Sequence, residues 1–287
     1  MSAMGACDGS FVVSGASTGE ARRRPRALTI AGSDSGGGAG IQADLKTFAA
    51  LGAYGASIIT AITAQNTVAV TAIHEIPTDV IAAQADAVLS DIGTDAAKTG
   101  MLATPAIIAT VADRLRAHEV RRLVVDPVMV AKSGDRLLRE DAIDALRTLL
   151  LPLATVVTPN APEAEAVSGI VVAGRDSAVE AARRIWAMGP AVVVVKGGHL
   201  DGAIVEDVVF DGETVTVLSG PRVATRHTHG TGCTFSAAIA ARLAWGDAPV
   251  EAVRLARDYL QGAIEHAWPL GAGHGPVDHL WRSATHV

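Results

Sequence analysis

From residue 26 onward the chain alternates short β-branched runs with longer runs of helical spacing, and this pattern constrains the fold more than any other feature of its 287 residues. Several of the short runs are apolar almost end to end: ALTIAG at 27–32, ASIITAIT at 56–63, RRLVVDPV at 121–128 and AVVVVKGG at 191–198. A strand with one wet face alternates apolar and polar residues, whereas a continuous apolar run suits a strand buried on both faces. Further strands are expected at 70–76, 96–102 and 154–160. Helical spacing fills 39–53, 78–92, 104–118 and 176–189, and two helices at 231–245 and 248–267 close the pattern. In the first of these, Ile41, Leu45, Phe48 and Leu51 share one face. Residues 203–220 differ, because two β-rich stretches flank Asp211-Gly212, a hairpin signal. No linker interrupts residues 26–280. The expectation is one α/β domain over 26–287, a three-layer sandwich with a central, mainly parallel sheet.

Composition narrows the partners. Hydrophobic residues make up 49% of the chain and aromatics only 3%, so the core must be built from Ala, Val, Leu and Ile. A formal net charge of −6 argues against a nucleic-acid partner, which would need a basic face. No apolar run reaches the roughly 18 residues of a membrane helix. Cys7 and Cys233 make no disulfide framework, so a cytoplasmic setting is expected. Residues 1–25 are small and polar, with a basic cluster after a weakly apolar patch, the reverse of a signal peptide. They read as a disordered extension.

In open α/β sheets ligands gather beyond the carboxyl ends of the strands. The polar and glycine residues expected there are Gly32 to Asp34, Gln65-Asn66, Lys98 to Met101, Asp126, Asn160 to Glu163, Lys196 to His199, and 227–233. Gly38 to Ala43 fits the dinucleotide pattern G-x-G-x-x-G/A, but no acidic residue ends the second strand to hold a ribose. That glycine cluster is a tight turn or a place of close approach to a ligand. Asp126 ends an apolar strand and suits a metal or ligand. Asn160 and Glu163, three apart at a strand-to-helix junction, fit an outer shell of hydrated Mg2+ or an N-terminal capping box. Lys196, at a buried strand end, suits a phosphate or a carboxylate. His227 and His229 read as loop histidines, since no zinc-ligand spacing accompanies them. Gly230, Thr231 and Gly232 lead into a helix whose N-terminus can hold an anion, and Cys233 sits in its first turn. There the thiol is a base, a nucleophile served by His229, or filler.

These stretches together resemble one family. The sequences at 27–67, KTGML at 98–102, VVDPVMVAKSGDRLL at 124–138, TPNAPEAE at 158–165, VVVKGGHL at 193–200 and THGTGCTFSAAIAA at 228–241 are similar to the bacterial hydroxymethylpyrimidine/phosphomethylpyrimidine kinases of thiamine biosynthesis. The resemblance implies a ribokinase-like fold and two successive phosphorylations of 4-amino-5-hydroxymethyl-2-methylpyrimidine by ATP and Mg2+. It also implies pyrimidine binding by Gln65, with Gly32, Ala39, Asp44, Met101 and Val128 lining the pocket. Asp126, Asn160 and Glu163 take the magnesium region, with Lys196 on the nucleotide's phosphate side. By the same resemblance the 230–233 loop, Gly230-Thr231-Gly232-Cys233, is the anion hole. Wider relatives carry aspartate where these kinases carry the cysteine, here read as catalytic base, its pKa lowered by the helix end and raised again by phosphates. The family further implies a homodimer. Ala272 departs from it, standing where a basic residue is expected, with Arg222 or His274 as substitutes. Pyridoxal kinase, of the same fold, is the rival reading; a regulator without catalysis or an NAD-binding dehydrogenase is a more distant one. Because 1–25 lack periodicity, deleting them should leave melting temperature and activity within error; a fall in either would show that the segment packs on the domain.

Overall fold

Four consecutive valines show how the sheet is sandwiched. In β7 (Val192–Val195) every residue is buried. Val192 and Val194 join one hydrophobic core, and Val193 and Val195 join the other. Side chains alternate across a strand, so a run apolar at every position demands an apolar layer on both sides. The computed structural model describes residues 24–129, 137 and 141–282. The expected extension lies outside the described residues, except for Arg24 and Pro25, as does part of the 124–138 motif.

The other strands are β1 (Arg26–Asp34), β2 (Tyr54–Gln65), β3 (Val70–Glu75), β4 (Ala96–Thr99), β5 (Leu123–Val125), β6 (Val156–Val157), β8 (Ile204–Phe210) and β9 (Val215–Pro221). They form one sheet in the order β3-β2-β1-β4-β5-β6-β7-β8-β9. From β2 to β7 in that order the pairing is parallel. β3 pairs antiparallel with β2, and the β8–β9 hairpin turns at Asp211-Gly212 as expected. Helices α1 (Gly40–Ala50), α7 (Thr231–Trp245) and α8 (Pro249–Glu265) cover one face. On the other lie α2 (Thr78–Asp91), α3 (Pro105–Ala117), α4 (Ala142–Ala145), α5 (Ala161–Ser168) and α6 (Arg175–Trp186). Alanine lets α7 press close to the sheet, and every residue from Thr234 to Ala241 is buried.

Some strands are shorter than the apolar runs suggest. β5 stops at Val125 rather than 128, and β6 covers only Val156–Val157. Pro127 and Pro159 have no N–H to donate to a ladder, so the chain leaves the sheet just before each. The sequence pattern marks no helix at 142–153, where α4 runs on through a π-helical turn (Leu146–Leu150) and a 3-10 turn (Leu151–Leu153). No helix among the described residues is long and apolar enough to cross a membrane.

Sequentially, the chain visits β2 on one side of β1 and β4 on the other. That reversal opens a crevice at the carboxyl ends of β1 and β4, the place where such sheets bind ligands. After α8 the chain returns to this end, Asp278 N donating to Ala263 O at 2.9 Å. His279 is buried there, and its Nε2 has no hydrogen-bond partner among the described residues. Burial, with lesser help from the charges of Lys46 and His229, pushes its pKa down to about 4. The unfolded chain therefore takes up this proton first, at about pH 6.5, and stability is lost as pH falls from there toward 4. The contribution is about 3 kcal/mol once the pH is below both values. His279→Leu should flatten the fall in urea-unfolding free energy between pH 7 and 4.5. A fall as steep as the parent's would remove His279 as its source.

Candidate active site

The phosphate side of the crevice is built from backbone. Gly230 has φ 81°, the left-handed region that favours glycine, and it turns the chain into α7. A Cβ there would also lie 1.8 Å from the Gly38 carbonyl oxygen, so only glycine lets the two loops touch. No side chain caps this helix, and the N–H groups of its first turn, Thr231, Gly232 and Cys233, have no intrahelical acceptors. Such a helix end offers oriented donors and a partial positive charge to an anion.

Beside that turn lies a cluster of buried charges. A Cβ on Gly232 would stand 3.5 Å from Lys196 Nζ and 3.6 Å from Asp126 Oδ2. Lys196 Nζ is 2.9 Å from Asp126 Oδ1 and 3.7 Å from Glu163 Oε2. Thr158 donates its hydroxyl to Asp126 Oδ1 at 3.2 Å, and Ser236 stands 3.3 Å from Oδ2. Burial, opposed by Lys196 and reinforced by Asp126, pushes Glu163 up to about 7. The capping box also forms: Asn160 N donates to Glu163 Oε2 at 2.7 Å, and Glu163 N to Asn160 Oδ1 at 2.9 Å. Of the two sequence readings of this pair the cap is therefore present, with Asn160 Oδ1 accepting the Glu163 N–H.

Deeper in the crevice Asp44 meets Lys98. Lys98 and Asp44 are fully buried, with Lys98 Nζ 2.9 Å from both carboxylate oxygens, and Thr29 donates to Oδ2 at 2.6 Å. Asp44 was expected to line the pocket and accept a substrate bond. It is fully buried, and both its oxygens accept from Lys98, Oδ2 also from Thr29. Cys233 sits between the two charge clusters, within hydrogen-bonding reach of Gly40 N. Burial, helped by Asp44 and Asp126 and opposed by Lys98, pushes the thiol up to about 11. This corrects the expectation that the helix end lowers it: at the N-terminus of α7 desolvation outweighs the dipole, and at neutral pH the resting group is a thiol.

Across the loops lies the side assigned to the pyrimidine. Gln65 ends β2, half-buried, beside the loop that follows β1. Gly32 and Met101 meet there, a Cβ on the glycine being 3.1 Å from Met101 Sδ. Ala39 faces Gly230, and half-buried Val128 borders a small cavity with Asp126. Asp34 gathers the glycine turn: Gly36 N, Gly38 N and Ala39 N donate to it at 2.8–3.1 Å, and His229 Nε2 lies 2.9 Å away. Burial pushes the Asp34 carboxyl up, but His229 and those N–H groups carry it below its ordinary value. Neither histidine of the 227–229 stretch is a bland loop residue, since both are buried and His227 Nδ1 accepts from Gly275 N at 3.2 Å.

Thus Gln65, Gly32 and Ala39 gather around the turn whose Gly38 touches Gly230, Met101 packs on Gly32, Lys196, Asp126 and Glu163 meet beside Gly232, and Val128 borders the cavity next to Asp126. Arg222 directs its guanidinium to the carbonyls of Gly198, Leu200 and Gly202. His274 gives Nδ1 to a contact with Arg226 O at 3.0 Å. Ala272 lies between Gly271 and Gly273, which pack on Thr67, near Gln65 rather than near Lys196.

Known proteins resemble this chain through most of its length. The family described as phosphomethylpyrimidine kinase matches residues 34–278. A hydroxymethylpyrimidine/phosphomethylpyrimidine kinase of Rhizobium meliloti is 55% identical over 259 residues, covering 89% of this chain and 97% of that protein. The thiamine biosynthesis bifunctional protein of Geobacter sulfurreducens is 51% identical over 257 residues, and the matched region spans 90% of this chain but only 52% of that longer protein. Among solved structures, the pyridoxal kinase of Staphylococcus aureus with AMP-PCP and pyridoxal superposes with a TM-score of 0.85 at 39% identity, covering 92% of this chain and 96% of that one. The phosphomethylpyrimidine kinase of Clostridium difficile gives 0.75 at 44% identity, covering 84% and 100%. With its ribokinase-like sheet, its uncapped α7 and this match through most of its length, the chain belongs to the phosphomethylpyrimidine kinase family.

Proposed function

We propose that this protein is a kinase of thiamine biosynthesis. It transfers the terminal phosphoryl group of ATP to the hydroxymethyl oxygen of 4-amino-5-hydroxymethyl-2-methylpyrimidine, and then phosphorylates that monophosphate to the diphosphate. One observation carries the reading: an amide suited to an aminopyrimidine edge, Gln65, and an uncapped helix end suited to phosphates share a crevice, separated only by two touching glycine loops. A primary amide supplies both a donor and an acceptor, as that edge requires. The N–H groups of 230–233 stabilise the charge on the transferring group, where most catalysis of this kind resides. Lys196 supplies a cation on the nucleotide side, and the glycine loops keep the acceptor and phosphate sides in register. Asp44 with Lys98 forms the floor of the acceptor side.

Asp126 and Glu163 are hard oxygen donors bridged by Lys196, a set that fits magnesium held by one or two carboxylates and completed by phosphate oxygens and water. When bound, magnesium neutralises phosphate charge. Asn160 serves that region through its cap on Glu163. A coupled ADP-release assay with hydroxymethylpyrimidine, its monophosphate, pyridoxal and ribose tests the function; turnover of neither pyrimidine would overturn it. Pyridoxal is kept in the panel because the pyridoxal kinase fold superposes so closely on this one. We also infer a cytoplasmic homodimer, for which β3 offers an edge strand with exposed Ile73, next to exposed Ile62 of β2 and Val68 of the connecting loop.

Gln65→Leu should leave the pyrimidine edge unpaired, lowering kcat/KM by about 5- to 150-fold, or about 1–3 kcal/mol. An unchanged rate would take Gln65 out of the site.

Cys233 is assigned as the catalytic base. Its raised pKa fixes the sign of the pH effect: the thiolate fraction grows with pH, so the parent's kcat should still be climbing between pH 7 and 9. Cys233→Ala should remove that climb and lower kcat by about 10²-fold or more, with the KM for ATP little changed. Cys233→Asp should restore part of the rate. Alanine as fast as the parent would leave the rate to the 230–233 donors and the metal, and a phosphorylated enzyme seen by mass spectrometry would make the cysteine a nucleophile instead.

A further inference from the structure

His229 is one residue from the anion loop, yet the chemistry above leaves it unused. Its main chain is fixed first: His229 N donates to Gly275 O at 3.0 Å, and Val277 N donates to His229 O at 3.3 Å. That anchorage aims the imidazole across the glycine turn. A Cβ on Gly38 would lie 2.5 Å from His229 Cδ2, so the ring is wedged against the turn. Its Nε2 reaches Asp34 at 2.9 Å, and both side chains are buried. The Asp34 carboxyl, held below its ordinary range, accepts only, so His229 Nε2 carries the proton and donates.

The same ring atom stands 3.4 Å from the amide terminus of Gln65, whose other terminal atom is 3.2 Å from Thr63 Oγ1. Donor counting settles how the amide turns. Thr63 has one hydroxyl proton, and it goes to Ser33 O at 2.9 Å, leaving the Thr63 oxygen as an acceptor. His229 Nε2 has one proton, directed to Asp34 at 2.9 Å, so its 3.4 Å contact with the amide is the long arm of a bifurcated bond; the amide sits with oxygen toward the ring and nitrogen toward Thr63, the two exchanging by a half-turn. One N–H and one lone pair then remain for a ligand.

We propose that His229, held by Asp34, is a positioning residue that ties three parts of the site together: the glycine turn 34–40, the Gln65 amide and the anion loop 230–233. The proposal rests on the kinase reading above. Its consequence is register: the ring spans the acceptor-binding and phosphate-binding sides, and in a positioned transfer a misplacement of about 1 Å costs about 10²-fold. His229 touches no reacting atom in this scheme, and it acts through Gln65 and the loops.

The test compares His229→Leu, which removes the donor, with His229→Gln, whose amide nitrogen can reach the same carboxylate. His229→Leu should lower kcat for the pyrimidine by about 10²-fold, leave the KM for ATP within about twofold, and raise the fraction of ATP hydrolysed without transfer. His229→Gln should recover about tenfold of the loss. Asp34→Asn, which puts an amide among three N–H donors, should reproduce the His229→Leu pattern and serves in its place if that variant does not fold. A second readout needs no substrate: iodoacetamide labelling of Cys233, followed on its own peptide by mass spectrometry, should be faster in His229→Leu because the loop is released. A parent that phosphorylates no pyrimidine would sink the kinase reading alone, and the labelling then decides the clasp. Unchanged kcat with unchanged labelling, a KM for ATP that rises in step with the loss of kcat, or a glutamine no better than leucine would each overturn it.

Discussion

Charge balance beneath the N-terminus of α7 is the constraint on which the site depends. Two lysines and three carboxylates lie in the interior within reach of one another: Lys98 with Asp44, and Lys196 with Asp126 and Glu163. A buried charge left without a partner costs several kcal/mol, so each group can stay only while its partner stays. The pairing with Lys98 is symmetric, both oxygens of Asp44 being 2.9 Å from one ammonium. The pairing at Lys196 is not, since one cation serves two carboxylates, and Glu163 responds by holding its proton up to about neutrality. The first pair is a closed structural floor. The second has capacity to spare for an added cation, and it is the one that faces the uncapped helix end.

The fold explains why these groups meet. Lys98 and Asp126 sit at the ends of adjacent strands, β4 and β5, while Lys196 follows β7 and Glu163 opens α5. Parallel strands deliver successive carboxyl ends to one edge of the sheet, so residues far apart in sequence meet there with no long loop to hold them. The glycines then decide how near the backbones come. Gly230 and Gly38 allow a contact that any Cβ would forbid, and that contact sets the distance between the acceptor side and the phosphate side.

Much of this was readable in the sequence, for reasons that differ by element. The inner strands β5 to β7 were legible because burial on both faces leaves a continuous apolar run, and the hairpin because Asp211-Gly212 marks its turn. The 142–153 segment was not, because it has neither a side-chain cap nor a straight α-helical register, passing from α to π to 3-10 geometry before the backbone turns extended at Ala154. Site residues at strand ends were legible as a set, but their partners were not. Nothing local says that Lys98 spends its charge on Asp44, 54 positions away, or that His229 reaches Asp34 across 195. Asn160 and Glu163 show the limit from the other side: one spacing fits both a cap and a metal shell, and only coordinates show the oxygens spent on the cap.

The same accounting bears on the thiol. Position 233 lies between the two clusters, and both lysines are already committed. A permanent carboxylate here would be a fourth acid shared between two buried cations, so it would have to hold its proton or draw Lys98 away from Asp44. A thiol avoids that conflict by staying neutral at rest, and it costs the resting enzyme no buried charge. The advantage has a kinetic counterpart, since a base that begins protonated must lose its proton before it can accept another. Cysteine at this helix end thus exchanges readiness as a base for a folded site whose buried charges already balance, and it leaves the oriented N–H groups of 230–233 as the part of the site that needs no change of protonation to act.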